Sequence, residues 1–431
     1  MISIKKLRTR LSAGGLDQDL SRLRCVSGEA LTSERRRLSD VLDQFCAAFG
    51  AEDATAVTVC SAPGRTELGG NHTDHQRGRV LAASVNLDIL ACAAVNGTDS
   101  IRILSQGWPM VTVDLSRLEP VEEEKGTTAA LVRGMAARAV QLGHKVSGFD
   151  AYAVSDVLPG SGLSSSAAYE VLVGVLINHL FCGDAFDPVT IAQMGQYAEN
   201  VFFDKPCGLM DQMASSVGGA VAIDFEDPQK PIVRQVKVDL EKEGYALCII
   251  DSGADHADLT AEYAAIPAEM KAVAASLGKE VLRQVPQAEF YDRLPQLRKE
   301  YGDRAVLRAM HFYADDRRAA AEADALASGD FGAFLGLVKE SGYSSWMYLQ
   351  DVIPAGWTTH QEMAVALATA ERALGGRGAF RVHGGGFAGT IQAFVPLDML
   401  EDFRTQVEQV LGEGRCHILS IRPVGGTVLV P

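Results

Sequence analysis

Residues 158–168, LPGSGLSSSAA, run straight into YEVLVGVLINHLF, and this junction constrains the chain more than any other stretch. The second part carries apolar residues on every side, as only a helix buried all round can. A buried helix cannot begin in apolar surroundings without partners for its first N–H groups. Gly160 and Gly162 bracket Ser161, and Ser164, Ser165 and Ser166 follow Leu163. Two glycines let a backbone approach an anion with no Cβ in the way. Three hydroxyls then stand where the helix starts, beside its unpaired N–H groups and partial positive charge, a setting that suits phosphate. The common P-loop, GxxxxGK(S/T), is excluded because its lysine is missing. Taken alone, the segment is better read as a Gly/Ser turn capping a core helix. Two further segments change that balance.

The chain has 431 residues, room for two domains with real cores. Hydrophobic residues make up 47% and charged residues 22%, the proportions of an ordinary soluble protein. The net charge of −15 argues against a broad nucleic-acid or anionic-membrane surface. It leaves room for a local phosphate site. Eight cysteines are scattered with no CxxC pair, so neither a zinc site nor a redox pair is indicated. MISIKKLRTRL lacks the apolar core of a secretory signal, and the apolar run 79–95 is too short and too polar to span a bilayer. A cytoplasmic protein with reduced thiols is the expectation, and a monomer.

Leu38, Val41, Leu42, Phe45 and Phe49 recur at helical spacing and predict a helix over 30–50, stopped by Gly50. VTVC at 57–60 reads as a strand entering a turn at SAPGR. VLAASVNLDILACAAVN reads as paired strands, IRILS and MVTVDL as further strands, and 127–142 as a helix. FDAYAVSD is a strand leading into the glycine–serine segment. YALCIID and TIQAFVP are strands, 397–411 is a helix, and a closing strand follows. Helices and strands mix without a βαβ beat, which predicts α+β. A shift to more charged composition places a domain boundary near 235, dividing the chain into 1–235 and 236–431.

The second informative segment is APGRTELGGNHTDHQRG, residues 62–78. Arg65, Glu67, Asn71, His72, Asp74 and His75 crowd between apolar strands, and sites commonly lie on loops held by rigid elements. Carboxylates and amides suit hydroxyl-rich ligands. Metal binding by His72 and His75 lacks a third ligand. The third segment is AENVFFDKPCGLMDQMASSVGG, residues 198–219. Asp211 stands among Leu209, Met210 and Met213, with Glu199 and Lys205 upstream. A buried aspartate needs a partner.

Together, and in this order, the segments resemble the motifs of the GHMP small-molecule kinases, and more narrowly of galactokinases. SAPGR…HTDH resembles the sugar-binding signature. GSGLSSSAA resembles the phosphate loop, and AEN…CGLMDQ the segment with the catalytic aspartate. RVHGGGFAGT at 381–390 resembles the late glycine motif that supports the phosphate loop. The likeness runs from about Phe45 to Thr390.

The resemblance implies a two-domain α+β fold, with an N-terminal domain like ribosomal protein S5 and a ferredoxin-like C-terminal sandwich. It implies ATP and Mg²⁺ as cofactors and a monosaccharide substrate phosphorylated at its anomeric hydroxyl. Asp211 would accept or orient that hydroxyl's proton, and Arg65 would keep Asp211 ionised. Asp74 and His72 would hold the sugar, and Tyr263 would border it. The phosphate loop would span Gly160, Ser161, Gly162, Leu163, Ser164, Ser165, Ser166 and Ala167, and Ser166 and Glu199 would be the magnesium ligands. Such roles suit phosphoryl transfer, which needs placement and charge neutralisation more than covalent chemistry.

The family signature reads GRxNxIGEHxDY, where this chain reads GRTELGGNHTDH. Asn71 replaces a glutamate that meets the sugar's C6 hydroxyl. An amide can donate or accept and carries no charge, so galactose comes first as substrate and galacturonate, with its C6 carboxylate, second. A non-catalytic sugar and ATP sensor is the rival from another class, but such relatives carry damage in the serine segment, which is intact here.

Overall fold

The computed structural model describes residues 1–157, 162–205, 207–254 and 259–431. Gly160 and Ser161 lie outside the described residues. Two sheets organise these residues. The larger holds β1 (Ile2–Ser3), β2 (Ala56–Gly69), β3 (Arg79–Val95), β4 (Ser100–Ser105), β5 (Val111–Asp114), β6 (Phe149–Ser155), β7 (Ala220–Asp224), β8 (Ile232–Val236) and β13 (Thr427–Val430). The smaller holds β9 (Tyr245–Asp251), β10 (Ala379–Val382), β11 (Thr390–Pro396) and β12 (Cys416–Leu419), antiparallel throughout in the order β10-β11-β9-β12.

The helices are α1 (Ile4–Ser12), α2 (Asp17–Arg24), α3 (Gly28–Phe49), α4 (Thr128–Gln141), α5 (Ser165–Phe181), α6 (Pro188–Tyr197) and α7 (Met210–Val217). After β9 come α8 (Thr260–Ser276), α9 (Gln287–Asp292), α10 (Leu294–Ser328), α11 (Phe331–Ser344), α12 (Glu362–Leu374) and α13 (Leu400–Leu411). Helices α1–α3 cover one face of the large sheet, burying Leu38, Val41, Leu42 and Phe45 against Val57, Leu90 and Cys92. On the other face α4 and α5 pack through Met135, Leu172 and Leu176 against Ala91, Ala93 and Ala151. The small sheet buries Ile250, Ile391 and Ala393 under Leu367 and Phe403.

Two strand expectations change. SAPGR is no turn, because β2 runs unbroken through it to Gly69. Pro63 and Gly64 are absorbed by a register shift in the β2–β3 ladder between Pro63 and Arg65. A bulge of this kind is where a strand tolerates proline and re-aims the next side chain. The paired strands expected at 80–96 are one strand, β3, which meets β7 along its first part and β6 along its last. The second departure has its own cause: a strand buried on both faces shows a long apolar run with no period to mark its ends. The helix expected at 397–411 starts at Leu400 after a 3₁₀ turn.

Candidate active site

Arg65 is placed by the bulge. Its backbone N–H leaves the ladder and donates to the Leu163 carbonyl at 2.9 Å, joining β2 to the segment that opens α5. Helix α7 is docked on the same ladder by two buried hydroxyls. Ser215 Oγ donates to Pro63 O and Ser84 Oγ to Ala214 O, both at 2.7 Å. Met210 and Met213 fill the space beneath. This docking brings Asp211, in the first turn of α7, against Arg65. Arg65 Nε donates to Asp211 Oδ1 at 2.7 Å and Nη2 to Oδ2 at 2.6 Å, a fork-on-fork pair. Arg65 Nη1 also donates to the Gly162 carbonyl. Burial opposes charge on Asp211, but the Arg65 guanidinium and then the Ser164 hydroxyl hold its carboxyl below the usual range. The Asp211 side chain keeps 30% exposure while that of Arg65 keeps 7%, so the aspartate faces outward from a buried cation.

Asp74 lies in a 3₁₀ turn, and its Oδ1 accepts the His75 N–H at 2.9 Å. Its carboxylate rests on Gly208: a Cβ at Gly208 would sit 1.9 Å from Asp74 Oδ2. Glycine is required there, and the contact places Asp74 beside the chain that leads into Asp211. His72 donates Nε2–H to the Gly385 carbonyl at 3.1 Å, which leaves Nδ1 as an acceptor. Burial, with His75 next to it, pushes its imidazole down to about 3, so it is neutral at physiological pH. Tyr263 on α8 donates to the Gly386 carbonyl at 3.0 Å. Asn71 is fully buried behind His72.

The start of α5 carries the expected hydroxyls. Ser164 precedes it in the left-handed region (φ 54°), Ser165 and Ser166 open it, and the first helical bond runs from Ala168 N to Ser164 O. The N–H groups of Ser165, Ser166 and Ala167 therefore stand outside the helix's own ladder. Gly162 (φ 70°) packs on the late glycine motif; a Cβ there would meet His383 Nδ1 at 2.9 Å. Glu199 sits in a π-helical turn over Ala198–Phe203. Lys205 Nζ reaches its Oε1 at 3.1 Å and Gln212 Nε2 its Oε2 at 2.9 Å. Gln212 also donates to Glu170 Oε2 at 2.9 Å, and Glu170 Oε1 is buried with no partner among the described residues.

The structure thus brings together Arg65, Asp74, Gly162, Ser164 and Asp211, with His72 and Tyr263 joined through the late glycine turn. It removes Glu67 from the hydroxyl-binding loop. Glu67 is buried in β2, paired with Arg381, and burial pushes its carboxyl up to about 7. Sequence reasoning missed Asp351 and Ser345, which hold Asn71, and Gln212, which bridges Glu170 and Glu199. Gln212 follows Asp211 directly, a neighbour available to inspection. Asp351 and Ser345 lie far from any motif and carried no signal.

Residues 130–219 match the GHMP kinases N terminal domain. The same fold recurs in mevalonate kinase of Methanococcus jannaschii (TM-score 0.60, 12% identity, 85% of this chain and 98% of that one). Fold and site define a GHMP kinase, an ATP-using phosphotransferase with an alcohol group as acceptor. Residues 43–95 match the galactokinase galactose-binding signature. A galactokinase of Streptomyces coelicolor is 31% identical over 351 residues, 81% of this chain and 86% of the relative. The crystal structure of Lactococcus lactis galactokinase complexed with galactose superposes with a TM-score of 0.77 at 25% identity, covering 90% of this chain and 99% of that one. The chain belongs to the galactokinase family. No helix among the described residues is long and apolar enough to cross a membrane.

Proposed function

We propose that this protein transfers the γ-phosphoryl group of ATP to the anomeric hydroxyl of galactose or a galactose-like sugar. The observation that carries the reading is the Arg65–Asp211 clamp, set between the start of α5 and the Asp74–Gly208 contact. In this reading Asp74 and the Nδ1 of His72 accept sugar hydroxyls, and Tyr263 closes the border. Asp211, kept ionised by Arg65, accepts the proton of the attacking hydroxyl. Arg65 also offsets charge on the transferring phosphoryl group. The free N–H groups at the start of α5, together with Gly160–Gly162, hold the β- and γ-phosphates.

Magnesium suits the donor set. Ser166 and Glu199 offer hard oxygens, and Glu170, with its unpartnered Oε1, lies one turn beyond Ser166 on α5. Among the described residues no three His, Cys, Asp or Glu side chains form a metal cluster, so such an ion would enter with the nucleotide's phosphates. When bound, it would neutralise phosphate charge. The separate sheets support a division of the chain near 235, just where β8 ends, with β13 returning to the first sheet. A cytoplasmic, monomeric enzyme completes the reading.

The test is a coupled ADP-release assay with galactose, galacturonate, N-acetylgalactosamine, glucose and arabinose. Sugar-dependent ADP release that is strongest with a galactose-configured sugar is the expected outcome. Binding of both sugar and ATP with no ADP release would reject the kinase and favour a sensor.

A further inference from the structure

The π-helical turn Ala198–Phe203 ends on Asp204 in the left-handed region (φ 68°), which curls the chain back on itself. Lys205 N–H donates to the Glu199 carbonyl at 3.2 Å, and Lys205 Nζ reaches Glu199 Oε1 at 3.1 Å. Backbone and side chain of Lys205 are thus both brought to one residue. The Glu199 side chain is only 4% exposed, and its Oε2 is taken by the buried Gln212 at 2.9 Å. The Lys205 side chain is 62% exposed. The ammonium therefore covers Oε1 on the side that faces solvent. Its charge is also felt at Asp211, beside Arg65, and at Glu170 on α5.

We propose that Lys205 is a further catalytic residue: it covers Glu199 while the site is empty and moves onto the γ-phosphate of ATP when the nucleotide arrives. The inference rests on the proposed reading that Glu199 and the start of α5 receive MgATP. Two cations at one carboxylate oxygen repel, so Lys205 leaves Oε1 once a magnesium ion is held there. Its flexible four-carbon stem lets the ammonium move while the backbone stays bonded to Glu199. An ammonium released beside Asp211, where the attacking hydroxyl meets the phosphate, finds its new partner in the phosphoryl oxygens.

Arg65 cannot make that move. Its Nε and Nη2 are held by Asp211 and its Nη1 by the Gly162 carbonyl, so it acts on the transferring group from a fixed place. Phosphoryl transfer spreads charge over the equatorial oxygens and gains from each cation that meets them. Lys205 brings what Arg65 lacks, a compact charge on a mobile arm. The two cations divide the work: one is spent on keeping the base ionised, and the other is free to follow the phosphate.

The test is calorimetry of MgATP and MgADP without sugar, so that no transfer occurs. Lys205→Gln removes the charge at an exposed position, where the fold is not at stake. MgATP is expected to bind about tenfold or more weaker and MgADP to change by less than about threefold, because only ATP carries the γ-phosphate. Lys205→Arg keeps a cation and restores the ATP-to-ADP affinity ratio to within about threefold of native. The Mg²⁺ concentration for half-maximal ADP binding should fall about threefold in Lys205→Gln, because the ammonium no longer competes for Glu199. A lysine that only props Glu199 gives the opposite sign: the Mg²⁺ requirement rises and both nucleotides weaken alike. Either of those results overturns the inference. In the coupled assay kcat should fall at least about tenfold in Lys205→Gln. Native enzyme that binds both nucleotides yet releases no ADP with any sugar overturns the kinase reading, while the affinity ratio still judges this one.

Discussion

Asp211→Asn keeps the shape of the side chain and removes its charge. Arg65 grips two carboxylate oxygens, at 2.7 and 2.6 Å. An amide has one accepting oxygen, so its NH₂ must face one of the guanidinium N–H groups. One charge-assisted bond, worth about 1.5–3 kcal/mol, is lost. Arg65 keeps the Gly162 carbonyl, and the Asp211 side chain is 30% exposed, so screening places the stability loss at about 1–2 kcal/mol. That is a small part of a typical folding free energy of about 5–15 kcal/mol, and the variant remains folded. Activity loses more. A general base contributes about 10²–10⁴-fold, which is about 2.7–5.5 kcal/mol of barrier. Coupled ADP release should show kcat down by at least about 100-fold, with the sugar Kd from calorimetry changed less than about tenfold, because Asp74 and His72 are untouched. A folded variant with kcat within tenfold of native refutes the role given to Asp211.

Gly208→Ala puts a methyl where Asp74 Oδ2 stands; sugar KM is expected to rise about tenfold or more with ATP KM little changed, measured by steady-state kinetics. The stability profile should fall on the alkaline side. Burial raises Glu67 and Asp351 to about 7 and Glu322, whose oxygens find no partner among the described residues, well above its usual range. These groups hold protons in the folded state that the unfolded chain has released, so stability is lost as pH rises through their folded pKa values. Below about 6.5 the buried, neutral His72 and His311 act in the opposite sense. The melting temperature should therefore decline from pH 6.5 to 8, and Glu322→Gln should flatten the decline by up to about 1.4 kcal/mol per pH unit. A variant as steep as native would count against it. Asp88 accepts from Arg24, Arg37, Arg422 and Ser61 and ties α2 and α3 to the large sheet. Asp88→Asn is expected to cost about 3–5 kcal/mol in urea unfolding, while activity at low temperature persists.

The motifs were legible because each joins a local backbone need to a residue type. Gly50 ends α3 with positive φ, as its position after apolar periodicity indicates. The serines fall at the start of α5 as expected, although Ser164 makes no side-chain cap bond to the helix. Pairing was not legible. Nothing local says that Arg65 meets Asp211, 146 residues away, or that Asn71 meets Asp351, 280 away. Glu67 shows the limit most clearly. Its neighbours suggest a solvated loop, but the bulge carries β2 onward and turns Glu67 onto Arg381, far along the chain. Long-range electrostatics decides such residues, and one sequence does not display it.

The late glycine motif shows how far apart in sequence the parts of one site can be and still be tied to one turn. His383 lies 2.9 Å from Thr390 Oγ1 and 3.0 Å from Thr66 Oγ1, and packs on Gly162. A few residues on, the Gly385 and Gly386 carbonyls hold His72 and Tyr263, and the Phe387 N–H holds Asp351. One turn between β10 and β11 thus touches the proposed phosphate segment at one end and the proposed sugar wall at the other. Its shape is not relaxed: Phe387 adopts φ 56°, as Ser164 and His72 adopt 54° and 58°, and such non-glycine positions each cost about 1–3 kcal/mol. The buried Phe387 ring, edge-on to Tyr263 at 5.5 Å, offsets that strain with packing. In-line transfer tolerates misplacement of only about 0.5 Å between donor and acceptor. A turn anchored in a sheet and packed against both proposed substrate sites would fix that distance, which separate loops would leave to vary.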